Sequence, residues 1–249
     1  MSFVKGFIMS LGMFSIFPVP KNNWQDNYMP MVIPSLPIVG AFIGIIWYGS
    51  TLILSKLTVP LPIQSVIVLF IPLILSGFIH ADGYMDTLDA ICSRKELEEK
   101  KKILKDAHTG AFAVIAIIGI LLFQFCAVQT ILDAQKKFAV FAFIPIMSRC
   151  VAGIAVLNLH PVFETGYSAS FRKNAKPLHT VFICSLTIVM FIIALCFPGI
   201  SVMPLLVEAL AGLFVTAYVY MQFRGISGDL CGCIITISEF AALLSMALI

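Results

Sequence analysis

The stretch "IVLFIPLILSGFIHADGYMDTLDA", residues 67–90, joins an apolar run to a segment that holds one histidine and three aspartates. The chain as a whole is similarly apolar, since 60% of its 249 residues are hydrophobic and only 12% are charged. Soluble domains usually carry about 25% charged residues. The composition therefore predicts a protein that is embedded in a membrane.

Apolar segments of about 20 residues, the length that crosses a bilayer, recur along the chain. They cover residues 33–54, 61–80, 110–131, 138–158, 179–197, 200–222 and 230–249, and a further apolar piece lies at 3–17. We predict an all-α, polytopic transmembrane helical bundle with about seven spans, an N-terminal apolar helix and a single domain over residues 1–249. The N-terminal piece has no small-residue cleavage site before Pro18, so we expect a retained helix.

The distribution of basic residues predicts the orientation of this bundle, because cytoplasmic loops are enriched in lysine and arginine. With segment 81–109 in the cytoplasm, the cytoplasmic loops hold Lys21, Arg94, Lys95, Lys100, Lys101, Lys102, Lys105, Arg172, Lys173, Lys176 and Arg224. The outer loops then hold only Lys56, Lys136 and Lys137. We therefore expect a multi-pass protein of the cell (inner) membrane. The apolar composition predicts membrane lipid as a partner, and the small net charge of +3, spread over loops, predicts no nucleic acid.

Three aspartates, Asp82, Asp86 and Asp89, follow the apolar run at spacings i, i+4 and i+7. On an α-helix this spacing places all three on one stripe, where their charges repel each other, and more strongly near lipid. Mg²⁺ prefers oxygen ligands and typically binds one or two carboxylates together with substrate phosphates. We predict a catalytic magnesium platform for a phosphorylated substrate, in preference to a solvated loop start.

His80 precedes these aspartates and lies on the opposite side of an ideal helix from them. It can join the site only if the chain is irregular there. Three roles are open at this position: a general base, a hydrogen-bond donor to phosphate, and an interface histidine.

Two polar segments border other predicted spans on the same side of the membrane. Asp106, with His108, precedes the span near residue 110 and can either complete the metal cluster or cap the following helix. The segment "RGISGDLCG", residues 224–232, opens the last span. Backbone N–H groups at a helix N-terminus bind phosphate, although small residues also let membrane helices pack closely. The residues concerned are Arg224, Gly225, Gly228 and Asp229.

Glu239 lies deep in the last predicted span, where an acid requires a partner. Arg149, at mid-depth of another span, is the natural candidate, either as an ion pair or as a substrate anchor. The basic, aromatic loop 160–176 can lie over a large anionic ligand or anchor the protein at the membrane surface.

"HADGYMDTLDA" resembles the H-x-D-G-x-x-D-T-x-D-A signature of the cobalamin synthases, which are adenosylcobinamide-GDP ribazoletransferases. "FPVP" (17–20), "KDAHTGAFA" (105–113) and "GISGDLCG" (225–232) resemble further blocks of that family, in the same order over most of the chain. Arg149 and the loop 160–171 fall at similar places.

This resemblance implies a phosphotransferase that requires Mg²⁺. A hydroxyl of α-ribazole, or of its 5′-phosphate, attacks the cobinamide-side phosphate of adenosylcobinamide-GDP, and GMP leaves. On this interpretation His80, Asp82, Asp86 and Asp89 are catalytic, and Asp106 joins the three aspartates as a metal ligand. The predicted substrate and phosphate contacts are Asp106, Arg149, Arg224, Gly225, Gly228, Asp229 and Glu239. A homo-oligomer and an association with other cobamide-assembly enzymes are both open.

Two other functions are open. A CDP-alcohol-type lipid phosphotransferase is also rich in aspartate and depends on magnesium, but its usual D-G-x-x-A-R order is not found after Asp82 and Gly83. An ion-coupled transporter would place its acids near the membrane midplane, often within inverted repeats. Most acids here lie at one predicted membrane face, and the sequence shows no repeat.

Overall fold

A computed structural model describes residues 2–20, 25–134, 138–197 and 199–249 of the chain. Within these residues the protein forms α-helices and 3-10 helices, with no β-strand, which confirms the all-α prediction. The α-helices are α1 (Ser2–Phe14), α2 (Val32–Leu54), α3 (Leu61–Leu75), α4 (Ile79–Cys92), α5 (Leu97–Ile103), α6 (Ala111–Asp133), α7 (Ile144–Asn158), α8 (Tyr167–Lys173), α9 (Pro177–Cys196), α10 (Val202–Phe223) and α11 (Gly228–Leu248). The 3-10 helices Asp26–Met31 and Phe138–Ala142 lead into α2 and α7.

Six helical segments of the described chain are long and apolar enough to cross a membrane. They are α2 and α7 with their 3-10 extensions, α6, α9, α10 and α11. Large apolar side chains on these helices point outward, as at Leu195 and Phe214, which are 72% and 73% exposed. Such exposure is stable only against lipid or another apolar surface. The predicted polytopic membrane bundle is confirmed, and α1, at 13 residues, is an additional short apolar helix.

The predicted span 61–80 is not one straight helix, and this part of the prediction is corrected. Helices α3 and α4 reach the length and hydropathy of a span only together, and they are bent by 88°. Between them Gly77 and Phe78 adopt left-handed backbone conformations, with φ of 64° and 60°. Glycine takes this conformation without steric cost. The chain therefore turns before His80, and the acidic motif forms a helix of its own.

Helix α11 organises the centre of the bundle, since it packs against α4, α6, α7 and α10. Helix α2 packs against α7 on the other side of the core. The acidic helix α4 is wedged between α6 and α11, and its residues Ala81, Thr87 and Ala90 are buried. The first part of the predicted polar connection 81–109 is thus a packed helix. One face of α4 carries small buried residues, and another face carries the aspartates.

Some sequence-based predictions fall outside the described residues. Lys21, Lys136 and Lys137, which entered the prediction of orientation, lie there. The seven cysteines are all described and all free, and Cys231 and Cys233 are buried in α11.

Candidate active site

Two glycines create the closest contact between α4 and α11. A Cβ atom placed on Gly83 would lie 2.6 Å from the carbonyl oxygen and 2.8 Å from the Cα of Asp229. On the other helix, a Cβ on Gly232 would lie 2.9 Å from the carbonyl oxygen of His80. Only residues without a side chain permit backbones to approach this closely. The crossing therefore brings the acidic motif of α4 beside the first turn of α11.

Four carboxylates gather around this crossing. The charge of Asp86 is repelled by those of Asp82, Asp229 and Asp89, and Asp82 also repels Asp229. Among the described residues the ion pairs are formed by other acids, and none of these four has a basic partner. Asp89 packs against Gly110, at the start of α6. The predicted stripe is present, and Asp229 extends it from the neighbouring helix.

The chemistry of this donor set suits a hard divalent cation, because all four side chains offer oxygen atoms and carry negative charge. The described residues contain no preformed group of three or more His, Cys, Asp or Glu side chains that could hold a metal ion. Like charges favour separated side-chain positions when no cation lies between them. The assignment of Asp82, Asp86, Asp89 and Asp106 as metal ligands stays a prediction.

A cavity of about 780 Å³ lies beside the crossing. Its polar lining includes Asp82 and His80 of α4 and Ser227, Gly228 and Asp229 at the start of α11; Lys105 and residues 165–168 complete it. Cavities of about 300–1,000 Å³ bind small molecules. Two of the four carboxylates thus border a space of substrate size.

His80 lines this cavity although α4 is regular at that position. The expectation that His80 could join the site only through an irregular helix was wrong. Helix α4 runs unbroken from Ile79 to Cys92, and the irregularity lies just before it, at the turn after α3. The His80 ring is buried and its Nε2 has no hydrogen-bond partner. Thr236 Oγ1 donates to the His80 carbonyl oxygen over 3.1 Å, which fixes the backbone. Both His80 and Asp82 line the cavity because it borders the first turn of α4.

The segment 224–232 contributes unevenly to the site. Ser227 caps α11, since its Oγ accepts a hydrogen bond from the backbone N–H of Leu230 over 3.3 Å. Gly228 and Asp229 line the cavity, as a phosphate-binding helix N-terminus requires. Arg224 is exposed and does not line it, and Gly225 packs closely against the backbone of Val162. The predicted phosphate contacts of Arg224 and Gly225 stay predictions.

Asp106 is exposed, and its carboxylate accepts hydrogen bonds from His108. The backbone N–H of His108 lies 3.0 Å from Asp106 Oδ1, and the ring Nδ1 lies 2.7 Å from the same atom. These hydrogen bonds lower the pKa of Asp106. The structure does not bring Asp106 to the cavity, whereas the preceding residue, Lys105, lines it.

Arg149 and Glu239 form the ion pair that their depth in the sequence suggested. Ser148 Oγ also donates to Glu239 Oε1 over 2.9 Å. Glu208, on α10, lies close enough for its charge to interact with both Arg149 and Glu239. Glu208 is fully buried, and its carboxylate has no side-chain hydrogen-bond partner within the described residues. The bundle interior therefore holds two acids around one guanidinium group.

The loop after α7 lines the cavity, which agrees with one of the two roles that the sequence left open for the segment 160–176. The backbone N–H of Ile226 donates to the His160 carbonyl over 2.8 Å, which ties the loop to the start of α11. Lys105 Nζ lies 3.8 Å from the centre of the Phe163 ring, a cation–π contact. Phe163 and Phe171 both line the cavity.

Three residues of the site were not singled out from the sequence. Glu208 had a clear signal, because an acid in the middle of an apolar span is costly to bury and usually has a functional partner. Ser227 had a weaker one, since serine followed by Gly-Asp at the start of a helix is typical of an N-cap. Lys105 had none, because it lies within a run of ordinary surface lysines.

Fold and site together define a class: an all-α, multi-pass membrane protein with an acidic, cavity-lining helix crossing. A family model described as cobalamin-5-phosphate synthase matches residues 6–247. The chain belongs to the cobalamin-5-phosphate synthase family, and the predicted transferase function in cobalamin biosynthesis is confirmed.

Individual relatives match over almost the whole chain. An adenosylcobinamide-GDP ribazoletransferase of Clostridium perfringens (strain SM101) is 32% identical over 248 residues, covering 99% of both chains. The protein of the same name from Clostridium botulinum (strain Alaska E43) is 33% identical over 247 residues, covering 98% of this chain and 97% of its own. One from Geobacillus thermodenitrificans is 28% identical over 236 residues, with 92% and 90% covered. No solved structure matches the chain.

Proposed function

We propose that this protein transfers the cobinamide phosphate of adenosylcobinamide-GDP to α-ribazole or α-ribazole 5′-phosphate. A hydroxyl oxygen of the ribazole forms a new bond to the cobinamide-side phosphorus, the bond to the bridging diphosphate oxygen breaks, and GMP leaves with that oxygen. The relatives named for this activity support the choice of substrates.

The observation that carries the proposal is the crossing of α4 and α11. It places Asp82 and Asp229 at the wall of a cavity, with Asp86 and Asp89 close enough for the four charges to interact, and none of the four forms an ion pair within the described residues. Phosphoryl transfer depends mainly on positioning and on neutralisation of charge. An acidic cluster without ion-pair partners among the described residues, beside a cavity of substrate size, fits that requirement once a cation is bound.

We propose Mg²⁺ as this cation, held by Asp82 and Asp86 with Asp229 or Asp89. Bound there, Mg²⁺ would neutralise charge on the diphosphate and on the departing GMP. We assign a phosphate contact to the start of α11, where Gly228 and Asp229 line the cavity, since helix N-termini favour phosphate. Lys105 is the basic side chain that lines the cavity, and we assign it a phosphate contact.

His80 is the candidate that accepts the proton of the attacking hydroxyl. Its Nε2 is buried and has no hydrogen-bond partner, and His80 is one of the residues that line the cavity, as is Asp82. The Thr236 hydrogen bond holds the His80 backbone in place while the reaction proceeds. A positioned general base contributes about 10²–10⁴ in rate.

We further propose that the site faces the cytoplasm and that the protein resides in the cell (inner) membrane. The lysine-rich helix α5 follows the acidic helix directly, and Lys105 lies at the cavity. Clusters of lysine next to membrane spans favour the cytoplasmic side. Both soluble substrates reach the site from there.

A substrate comparison tests this function against the lipid phosphotransferase. The purified protein is incubated with Mg²⁺ and either adenosylcobinamide-GDP plus α-ribazole, or a CDP-activated lipid plus a small alcohol. We expect a cobamide product from the first pair and no phospholipid from the second. Phospholipid without cobamide would overturn the proposal in favour of the alternative.

A further inference from the structure

One side of the cavity is formed entirely by apolar side chains. All cavity-lining residues of α1, α2 and α7 belong to this side, which we call the apolar wall: Met13, Phe14, Ile33, Leu36, Ala152 and Val156. The polar lining comes from other elements: α4, Lys105, the loop after α7 with α8, and the start of α11. One cavity thus joins an apolar wall to the acidic helix crossing.

We propose that the apolar wall is the subsite for the benzimidazole base of the ribazole substrate. The inference rests on the proposed function and adds to it the position of one substrate. With the base against this wall, the attached ribose extends toward Asp82 and His80, where its hydroxyl meets the cobinamide phosphate.

Two bases take part in the reaction, guanine and benzimidazole, and their hydrogen-bonding groups determine which of them the apolar wall can bind. Guanine carries an exocyclic amine, a ring N–H and a carbonyl group, and leaving such groups buried without partners is costly. The dimethylbenzimidazole base has no exocyclic amine or carbonyl, and burying its two rings and methyl groups is favourable. A wall without hydrogen-bonding side chains therefore selects benzimidazole over guanine.

The size of the cavity agrees with this assignment. A volume of about 780 Å³ accommodates a nucleoside with a two-ring base. A corrin macrocycle with its peripheral side chains and nucleotide is larger than the drug-sized ligands that cavities of this volume enclose. The corrinoid must therefore lie mainly outside the cavity and present only its phosphates to the polar lining.

Two substitutions on α7 test the subsite. Val156→Thr replaces a methyl by a hydroxyl at constant volume, and Ala152→Leu fills part of the space. Each should raise the KM for α-ribazole about tenfold or more, the range in which small changes in an apolar pocket discriminate ligands. The KM for adenosylcobinamide-GDP and the inhibition constant of GMP should stay unchanged.

Val151→Thr is the matched control. Val151 and Val156 lie on the same helix and are both 7% exposed, but Val151 does not line the cavity. We expect Val151→Thr to leave both KM values as in the wild type, whatever it does to stability. This control separates loss of the subsite from a general disturbance of α7.

The inference is overturned if Val156→Thr and Ala152→Leu leave the KM for α-ribazole unchanged. It is also overturned if they weaken the binding of GMP or adenosylcobinamide-GDP, because the wall would then hold guanine. If the wild type releases no GMP, the proposed function fails on its own. Calorimetric binding of α-ribazole then decides: weaker binding by Val156→Thr than by wild type supports the subsite, and equal or absent binding rejects it.

Discussion

Gly83 on α4 lies directly against the backbone of Asp229 on α11, so closely that a Cβ atom would lie 2.6 Å from the Asp229 carbonyl oxygen. This contact joins two segments that are far apart in the sequence and places three aspartates of one helix beside the fourth acid of another. The acidic site is therefore a product of helix packing as much as of the acidic motif itself.

Gly83→Ala should push α4 and α11 apart. The added methyl meets backbone atoms, which cannot rotate away, and overpacking of this kind typically costs roughly 1–3 kcal/mol. We expect a lower midpoint of thermal unfolding in detergent and a large loss of transferase activity. Both are measured on the purified variant.

Gly119→Ala provides the control for that substitution. Gly119 lies within α6, and a Cβ placed there meets nothing within 4 Å. Alanine in a helix interior is more favourable than glycine by roughly 0.5–1 kcal/mol, so the control should be as stable as the wild type or more so. Equal behaviour of the two variants would contradict the close crossing.

Asp82→Asn, Asp86→Asn and Asp229→Asn should each reduce turnover by about 10²-fold or more, because metal binding supplies several kcal/mol of charge stabilisation in such reactions. Unfolding midpoints should stay the same or rise, since each change removes mutual repulsion. The check is a Mg²⁺ titration of the rate, in which these variants need higher Mg²⁺. Asp133→Asn, at the exposed far end of α6, should behave like the wild type.

The two partners of the buried Arg149–Glu239 ion pair should differ in how much their substitution destabilises the protein. Removing one partner of a buried pair typically costs about 3–5 kcal/mol. Arg149→Met leaves both Glu239 and Glu208 without a cation, whereas Glu239→Gln leaves Glu208 to balance the guanidinium. We expect Arg149→Met to lower the unfolding midpoint more than Glu239→Gln. Arg149→Met combined with Glu208→Gln should recover part of the loss, and no recovery would argue that the two charges do not interact.

The orientation is testable with single cysteines in a variant that lacks the seven native ones. The side chain of Glu98 is 75% exposed. The cysteine of Glu98→Cys should therefore react with an impermeant thiol reagent only after the inner face of the membrane is opened. The cysteine of Asp133→Cys, at the C-terminal end of α6, should react in intact cells. The reverse pattern of labelling would invert the topology.

The spans could be predicted from the sequence because the length of an apolar run determines whether a helix can cross a bilayer. The aspartate stripe could be predicted as well, since the spacing of Asp82, Asp86 and Asp89 depends only on helix geometry. The bend after α3 was not predicted. Its only local signal is Gly77, and single glycines are common in membrane helices without bends.

Contacts between segments that are distant in the sequence were the main feature that could not be predicted. Nothing local to Gly83 shows that it faces Asp229, because the neighbours of a helix face depend on how all the helices pack. The same holds for His80. Its place on an ideal helix was correct, but its access to the site depends on a cavity that borders Ile79, His80 and Asp82 in the first turn of α4. Glu208, by contrast, was visible in the sequence as an acid within an apolar span.

The most direct test of the account is the release of GMP by the purified protein. Adenosylcobinamide-GDP is supplied with Mg²⁺, with and without α-ribazole, and GMP and cobamide are quantified together. The account predicts that GMP appears only when both Mg²⁺ and α-ribazole are present, in equal amount to the cobamide formed. Release of GMP without α-ribazole, or no cobamide under any of these conditions, would contradict it.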